Sequence, residues 1–235
     1  MSLRKWLEQG PFTLSLTSGF FGFYAHVGFV KALEEEGFVA HQYRGCSAGA
    51  IVSSLLASGE SIEDLERLLA QFRREDFWDP QLGMGFLKGN KFHQILQAHL
   101  KSHFEHLEKP LVLSAFDIKS FKTTVFNSGS LSDAVWASCA IPLMFHPVKT
   151  RGRSYWDGGV FDPLAVHGVE PESRVLIHDI TEKSIIGLPV KTKHLKNAQI
   201  VRLKQLPRSG PHKMHKGTEI IEQAYQQTRG LLFKK

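Results

Sequence analysis

Residues 41–57 read HQYRGCSAGAIVSSLLA, and they change character halfway along. His41 to Cys46 form a short extended-looking run, whereas Ala50 to Ala57 are apolar and helical in composition. Between them Gly45-Cys46-Ser47-Ala48-Gly49 must turn tightly from strand to helix. Glycine at both flanks, Gly45 and Gly49, suits a turn in which neighbouring backbone and side chains come too close for a Cβ. A serine on such an elbow projects its hydroxyl at a helix N-terminus, where partial positive charge favours an alkoxide or a tetrahedral oxyanion. Ser47 is therefore a candidate nucleophile. Taken alone, the five residues fit equally well a helix that opens on a small cap. Cys46 is a weaker rival, because the elbow position belongs to its neighbour.

Upstream, residues 12–18 (FTLSLTS) alternate apolar and polar side chains and predict the first strand. They run into Gly19-Phe20-Phe21-Gly22. Residues 24–36 (YAHVGFVKALEEE) then carry apolar side chains at helical spacing and stop at Gly37, a C-cap. Strand, glycine turn, helix, strand and elbow in succession predict an α/β fold with a mostly parallel sheet covered by helices. Ligands of such sheets bind beyond the carboxyl ends of the strands. Both special turns fall at that edge.

Downstream, residues 61–73 (SIEDLERLLAQFR) predict a serine-capped surface helix with Ile62, Leu65, Leu68, Leu69 and Phe72 on one stripe. Residues 77–90 (FWDPQLGMGFLKGN) are irregular and aromatic, which suits either a packed loop or an apolar wall over a site. Residues 91–106 predict a helix bearing His99, His103 and His106, a spacing that can hold a metal. With no cysteine or acid at a matched position, they read as a solvated face, and no metal is expected. Strands are predicted at 111–118, 122–127, 153–156, 174–180 and 198–203, with helices at 130–137 and 218–232. The strand at 153–156 leads into Asp157-Gly158-Gly159, a carboxylate followed by residues free to take φ > 0.

At 235 residues, 42% apolar and 22% charged, the chain reads as one domain spanning 1–235 with its core from about 12 to 232. Cys46 and Cys139 cannot form a disulfide framework and read as buried thiols of a reducing, cytoplasmic setting. No secretory h-region and no stretch long enough to cross a bilayer is present. The net charge of +6 is concentrated: Lys183 to Lys216 contains nine Lys/Arg and no Asp/Glu, leaving the rest slightly acidic. This segment reads as a solvated face or as a peripheral contact with an anionic membrane. No aromatic residues interleave with the basic ones, so no nucleic-acid partner is expected.

A serine hydroxyl needs a base. His167 and His178 follow Asp157 in the order of a serine–acid–histidine triad, but His178 lies inside an apolar strand run and His167 has no supporting signal. Asp157 is the stronger candidate, since a partly desolvated aspartate can take the serine proton directly, although taken alone its turn reads as an ordinary Asp-Gly turn.

The segments SGFFGFYAHVGFVKALEE, GCSAGA, ASCAIPLMFHPV and YWDGGVFDPLAV, in this order and spacing, resemble those of patatin-like phospholipases, from about Phe12 to Leu232. The resemblance implies a three-layer α/β/α fold and a lipid acyl hydrolase with a serine–aspartate dyad and no cofactor. Carried onto this chain, Ser47 is the nucleophile and Asp157 the base. The family's loop of three glycines and a basic residue departs here: aligned on His26, its positions hold Ser18, Gly19, Phe20 and Gly22. Backbone amides donate whatever the side chain, so Gly19, Phe20 and Ala48 are the expected oxyanion donors if Gly19 and Phe20 avoid positive φ. Two alternatives share this fold: a lipid- or membrane-binding protein with little turnover, and an acyltransferase.

Overall fold

A computed structural model describes residues 1–181, 184–188 and 192–234. Its strands are β1 (Thr13–Leu16), β2 (Gln42–Gly45), β3 (Gly85–Leu87), β4 (Leu111–Asp117), β5 (Lys122–Phe126), β6 (Leu143–Phe145), β7 (Val148–Thr150), β8 (Arg153–Asp157), β9 (Val175–His178) and β10 (Ala198–Val201). The helices are α1 (Leu3–Leu7), α2 (Phe23–Glu35), α3 (Ala48–Ala57), α4 (Ile62–Gln71), α5 (Asn90–His99), α6 (Leu131–Cys139) and α7 (Gly217–Leu232). The main sheet runs β10-β9-β1-β2-β4-β8-β7 with β5 on β4; β10, β9, β1, β2 and β4 are parallel. This is the α/β fold with a central, mostly parallel sheet between helices that the strand–helix alternation predicts. Strands β1 and β9 are buried throughout, as expected of a sheet covered on both faces.

One feature of the topology governs the site. Leu113 of β4 pairs with Gly45 of β2 and with Phe126 of β5, while Ala115 pairs with Asp157 of β8 and with Thr124 of β5. A strand has two edges, and β5 occupies one of them along this whole stretch. Strands β2 and β8 must therefore share the other, β2 running parallel to β4 and β8 antiparallel. Their C-terminal ends meet nearly head to head at the level of Ser114. The chain segments after β2 and after β8, Cys46-Ser47 and Asp157-Gly158, are thus brought together although 110 residues separate them.

Several elements differ from the pattern expected. The helix predicted over 91–106 stops at His99, because the chain beyond it is drawn into tertiary pairing: Phe104 N–H donates to Gly129 O at 3.0 Å and Leu131 N–H to Ser102 O at 3.1 Å. His103 and His106 therefore do not continue the face that carries His99, and among the described residues no group of His, Cys, Asp or Glu is arranged to hold a metal. The stretch 77–90 is not wholly irregular, since β3 within it pairs with β6 in a small parallel ribbon. Gly158 and Gly159 do not take positive φ. Glycine is needed there for close approach instead: a Cβ on Gly158 would sit 2.3 Å from Ser114 O, inside the gap where β2 and β8 meet.

Candidate active site

Ser47 carries φ 53° and ψ −118°, a left-handed-side conformation that non-glycine residues adopt only under constraint, at a typical cost of about 1–3 kcal/mol. Its neighbours enforce it. A Cβ on Gly49 would lie 2.0 Å from Leu16 O, so α3 starts pressed against the end of β1; one on Gly45 would lie 2.4 Å from Ser53 Oγ. The flanking glycines thus act by close approach, as the sequence reading requires. On the other side, Ser47 N–H donates to Ser138 Oγ at 3.0 Å, and Ser138 Oγ donates to Ser114 O at 2.7 Å. Ser138 comes from α6 and bridges the gap between the ends of β2 and β8. No motif in the sequence singles it out beyond its place in ASCAIP.

Asp157 is fully buried behind Ser47. Its Oδ1 accepts the Gly159 N–H at 2.7 Å, and the Cys46 thiol lies 3.8 Å from the same oxygen. Its Oδ2 accepts no hydrogen bond among the described residues. Burial pushes the carboxyl up to about 6, with the Ser47 hydroxyl, the Gly159 amide and the Cys46 thiol pulling it back down. The Ser47 side chain is thus close enough to act on the carboxyl, yet the two do not meet in a regular hydrogen bond. Such bonds in catalytic sites commonly tighten only when substrate binds. Cys46 is no rival nucleophile: it is wholly buried, and burial first, then the neighbouring Asp157 charge, pushes its thiol pKa well up.

Ser47 lines a cavity of about 390 Å³ together with Gly19, Phe20 and Ala48. Neither Gly19 nor Phe20 has positive φ; Phe21 takes it, at 53°. Among the described residues the amides of Gly19, Phe20 and Ala48 donate to no protein acceptor, so three free N–H groups are gathered at one cavity. The remaining walls are apolar. Phe77, Trp78, Phe86 and Leu87 supply one side, which resolves the aromatic stretch 77–90 as a wall over the site. At Gly22, where the family carries a basic residue, a Cβ would meet Ile180 Cδ1 at 2.2 Å, so a side chain there needs the end of Ile180 to turn aside. Among the described residues the basic side chains that line the cavity are Arg74 and His212.

The two histidines weighed as bases lie elsewhere. His178 is fully buried, its Nδ1 2.8 Å from Nδ1 of His26 and its ring stacked on Phe29, with centroids 4.1 Å apart. His167 is exposed, and its carbonyl accepts Arg44 Nη2 at 2.6 Å. Neither lines the cavity of Ser47. Of the basic segment, Lys183 and Lys191 lie outside the described residues, and two other cations are paired: Lys196 with Glu172 and Arg202 with Asp179. The segment is therefore less freely charged than its composition suggests.

Comparison with known proteins adds the following. Residues 14–169 match the family model described as patatin-like phospholipase. An NTE family protein of Mycobacterium tuberculosis is 32% identical over 155 residues, covering 64% of this chain and 43% of that protein. A lysophospholipase of Cryptococcus neoformans is 25% identical over 158 residues, covering 62% of this chain and 10% of that protein. The crystal structure of VipD from Legionella pneumophila superposes with a TM-score of 0.54 at 15% identity, over 94% of this chain and 66% of that one, a likeness of fold. The chain thus spans less than half the length of these curated relatives.

Proposed function

The chain belongs to the patatin-like phospholipase family, and from that premise we propose that it is a serine acyl hydrolase that cleaves carboxylic ester bonds of phospholipids, lysophospholipids or acylglycerols. The observation that carries this reading is a strained serine lining an apolar cavity with a buried, pKa-raised aspartate directly behind it.

In the proposed mechanism the Asp157 carboxylate takes the Ser47 proton as Oγ attacks the ester carbonyl. The amides of Gly19, Phe20 and Ala48 hold the oxyanion, a role supported by their having no other acceptor. The protonated aspartate returns its proton to the leaving alcohol, and then draws one from the water that cleaves the acyl-enzyme. The phenylalanine turn at Phe20 to Phe23 and the 77–87 wall supply apolar surface for an acyl chain. No metal or organic cofactor enters these steps. Hydrolysis of a chromogenic acyl ester by the purified protein tests the reading: Ser47→Ala and Asp157→Asn are each expected to remove at least about 10³ of the rate, and undiminished turnover in either variant refutes it.

The cytoplasmic setting and the membrane contact through Lys183 to Lys216 remain part of this reading; no described helix is long and apolar enough to cross a membrane. The basic residue missing from the glycine loop weakens the oxyanion site or alters head-group preference; since losing one oxyanion donor typically costs about 10²–10³ in rate, weak turnover is compatible with this reading. Transfer of the acyl group to an alcohol shares every step but the last, and product analysis with an added acceptor alcohol distinguishes it from hydrolysis.

A further inference from the structure

The ribbon formed by β3 and β6 projects from the main sheet beside the cavity mouth, and it exposes apolar side chains to an unusual degree. Leu87 and its register partner Phe145 are buried, while Phe86, which precedes Leu87 on the opposite side of the pleat, is 71% exposed. The turn that precedes β3 is held down by Gln81, whose N–H donates to Phe86 O at 2.9 Å and whose carbonyl meets His146 Nε2 at 3.0 Å. At its tip Leu82 is 92% and Met84 58% exposed. Leu143, paired with Gly85, is 71% exposed and has φ 67°, a backbone region costly for a leucine and easily held by asparagine or glycine. A leucine that is both strained and solvated gains nothing from the folded chain alone.

These side chains adjoin the cavity, since Phe86 and Met144, the neighbour of Leu143, line it. Cationic groups border the same region. Arg74 stands over the Trp78 ring, 4.6 Å from its centroid. Ser209 Oγ donates to Phe21 O, which fixes the end of the basic segment, with exposed Arg208 and Lys213, beside the phenylalanine turn. Of the acids nearby, Asp76 accepts the Arg73 N–H and Asp79 the amides of Gly89 and Asn90; Glu75 is exposed.

We propose that this ledge is the face with which the protein docks on a lipid surface carrying anionic head groups. Leu82, Met84, Phe86 and Leu143 enter the acyl boundary, Trp78 lies at head-group depth, and Arg74, Arg208 and Lys213 meet the phosphates. An apolar patch rimmed by cations matches the two layers of such a surface, and docking here would open the cavity toward the lipid. The inference takes from the basic segment only Arg208 and Lys213 and holds whether or not Ser47 turns over.

The test uses the full chain with Ser47→Ala, so that lipid is not consumed, and co-sedimentation with vesicles of phosphatidylcholine alone or mixed with phosphatidylglycerol. The protein is expected to partition onto the mixed vesicles more strongly than onto the neutral ones. Adding Leu82→Asp, Met84→Asp and Leu143→Asp is expected to lower that partition at least about tenfold. The same three changes in the Ser47 protein should leave the rate on a short, water-soluble ester and the melting temperature unchanged, which separates lost docking from lost folding. Partition equal to the parent's in the triple variant overturns the proposal, as does a parent that ignores the mixed vesicles. So does a triple variant whose sole effect is to turn a dimer into a monomer, which would make the ledge a contact between copies. Failure of the catalytic reading leaves this partition untouched.

Discussion

Burial holds the Asp157 carboxyl near a pKa of about 6, and activity and stability should feel this in opposite ways. In its proposed role as base it must be ionised, so kcat/KM on a neutral ester is expected to climb with pH through about 6 and then level off. For stability, the folded-state value lies above the ordinary 3.8, so the folded chain binds more protons than the unfolded one between about pH 3.8 and 6. That contribution is full below the unfolded value and is lost as pH rises through the folded one. At neutral pH the buried carboxylate then costs on the order of 1–3 kcal/mol. Asp157→Asn should accordingly abolish turnover while raising the melting temperature at pH 8, with the gain shrinking below pH 5. A melting temperature that falls at pH 8 would show that the carboxylate is not a buried liability. What was legible in the sequence is that Ser47 and Asp157 each sit in a turn beside glycines at the same sheet edge; only the resemblance to a family joined them into one candidate site. Ser138 was not, because its role arises only where two strand ends meet: it satisfies Ser47 N–H and Ser114 O in a gap that no local pattern encodes. Ser138→Ala leaves both groups buried without a partner, which predicts a loss of about 1–3 kcal/mol in chemical denaturation together with a lower kcat, since the amide that fixes the elbow is released.

Among the elements, the pairing of α2 with β9 depends on two buried histidines. Thr17 O can only accept, so His26 Nε2, 2.9 Å away, carries the proton. In the neutral ring His26 Nδ1 is then bare and accepts from His178 Nδ1–H. Burial holds both rings neutral, lowering His26 to about 4 and His178 well below its ordinary value. With folded pKa values below the unfolded 6.5, the unfolded chain binds more protons as the medium acidifies. The stability these rings contribute is therefore full above about pH 6.5 and lost as pH falls toward 4. The two rings oppose the trend of Asp157, so in the Asp157→Asn protein the urea midpoint should drop steadily across that window. Replacing His178 with Phe, which keeps the stack on Phe29, should flatten the drop; an unchanged slope would place the acid sensitivity elsewhere. The strand reading of residues 174–180 found this element but not its partner. A histidine in an apolar strand looks the same in sequence whether it faces a serine or another histidine.

Across the whole molecule, the parallel core from β1 to α4 and the closing helix α7 were legible because hydrophobic period, caps and glycine turns agree there. What escaped was non-local. The antiparallel entry of β8 onto the edge that β2 vacates, the β3–β6 ribbon, and the early end of α5 are each decided by partners distant in the chain. The first of these brings the two halves of the candidate site together, since it lets one edge of β4 carry both β2 and β8. In the glycine loop Phe20 stands where glycine is usual in the family, yet its backbone takes no positive φ; the next residue, Phe21, does. A serine made reactive by a buried aspartate should be trapped by an activated fluorophosphonate, with intact-mass and peptide analysis locating the adduct. The account predicts one adduct, on Ser47, in the parent protein and its loss in Asp157→Asn at pH 8. Labelling that proceeds equally fast without the Asp157 carboxylate, or an ester-cleaving protein whose Ser47 stays unlabelled, would contradict it.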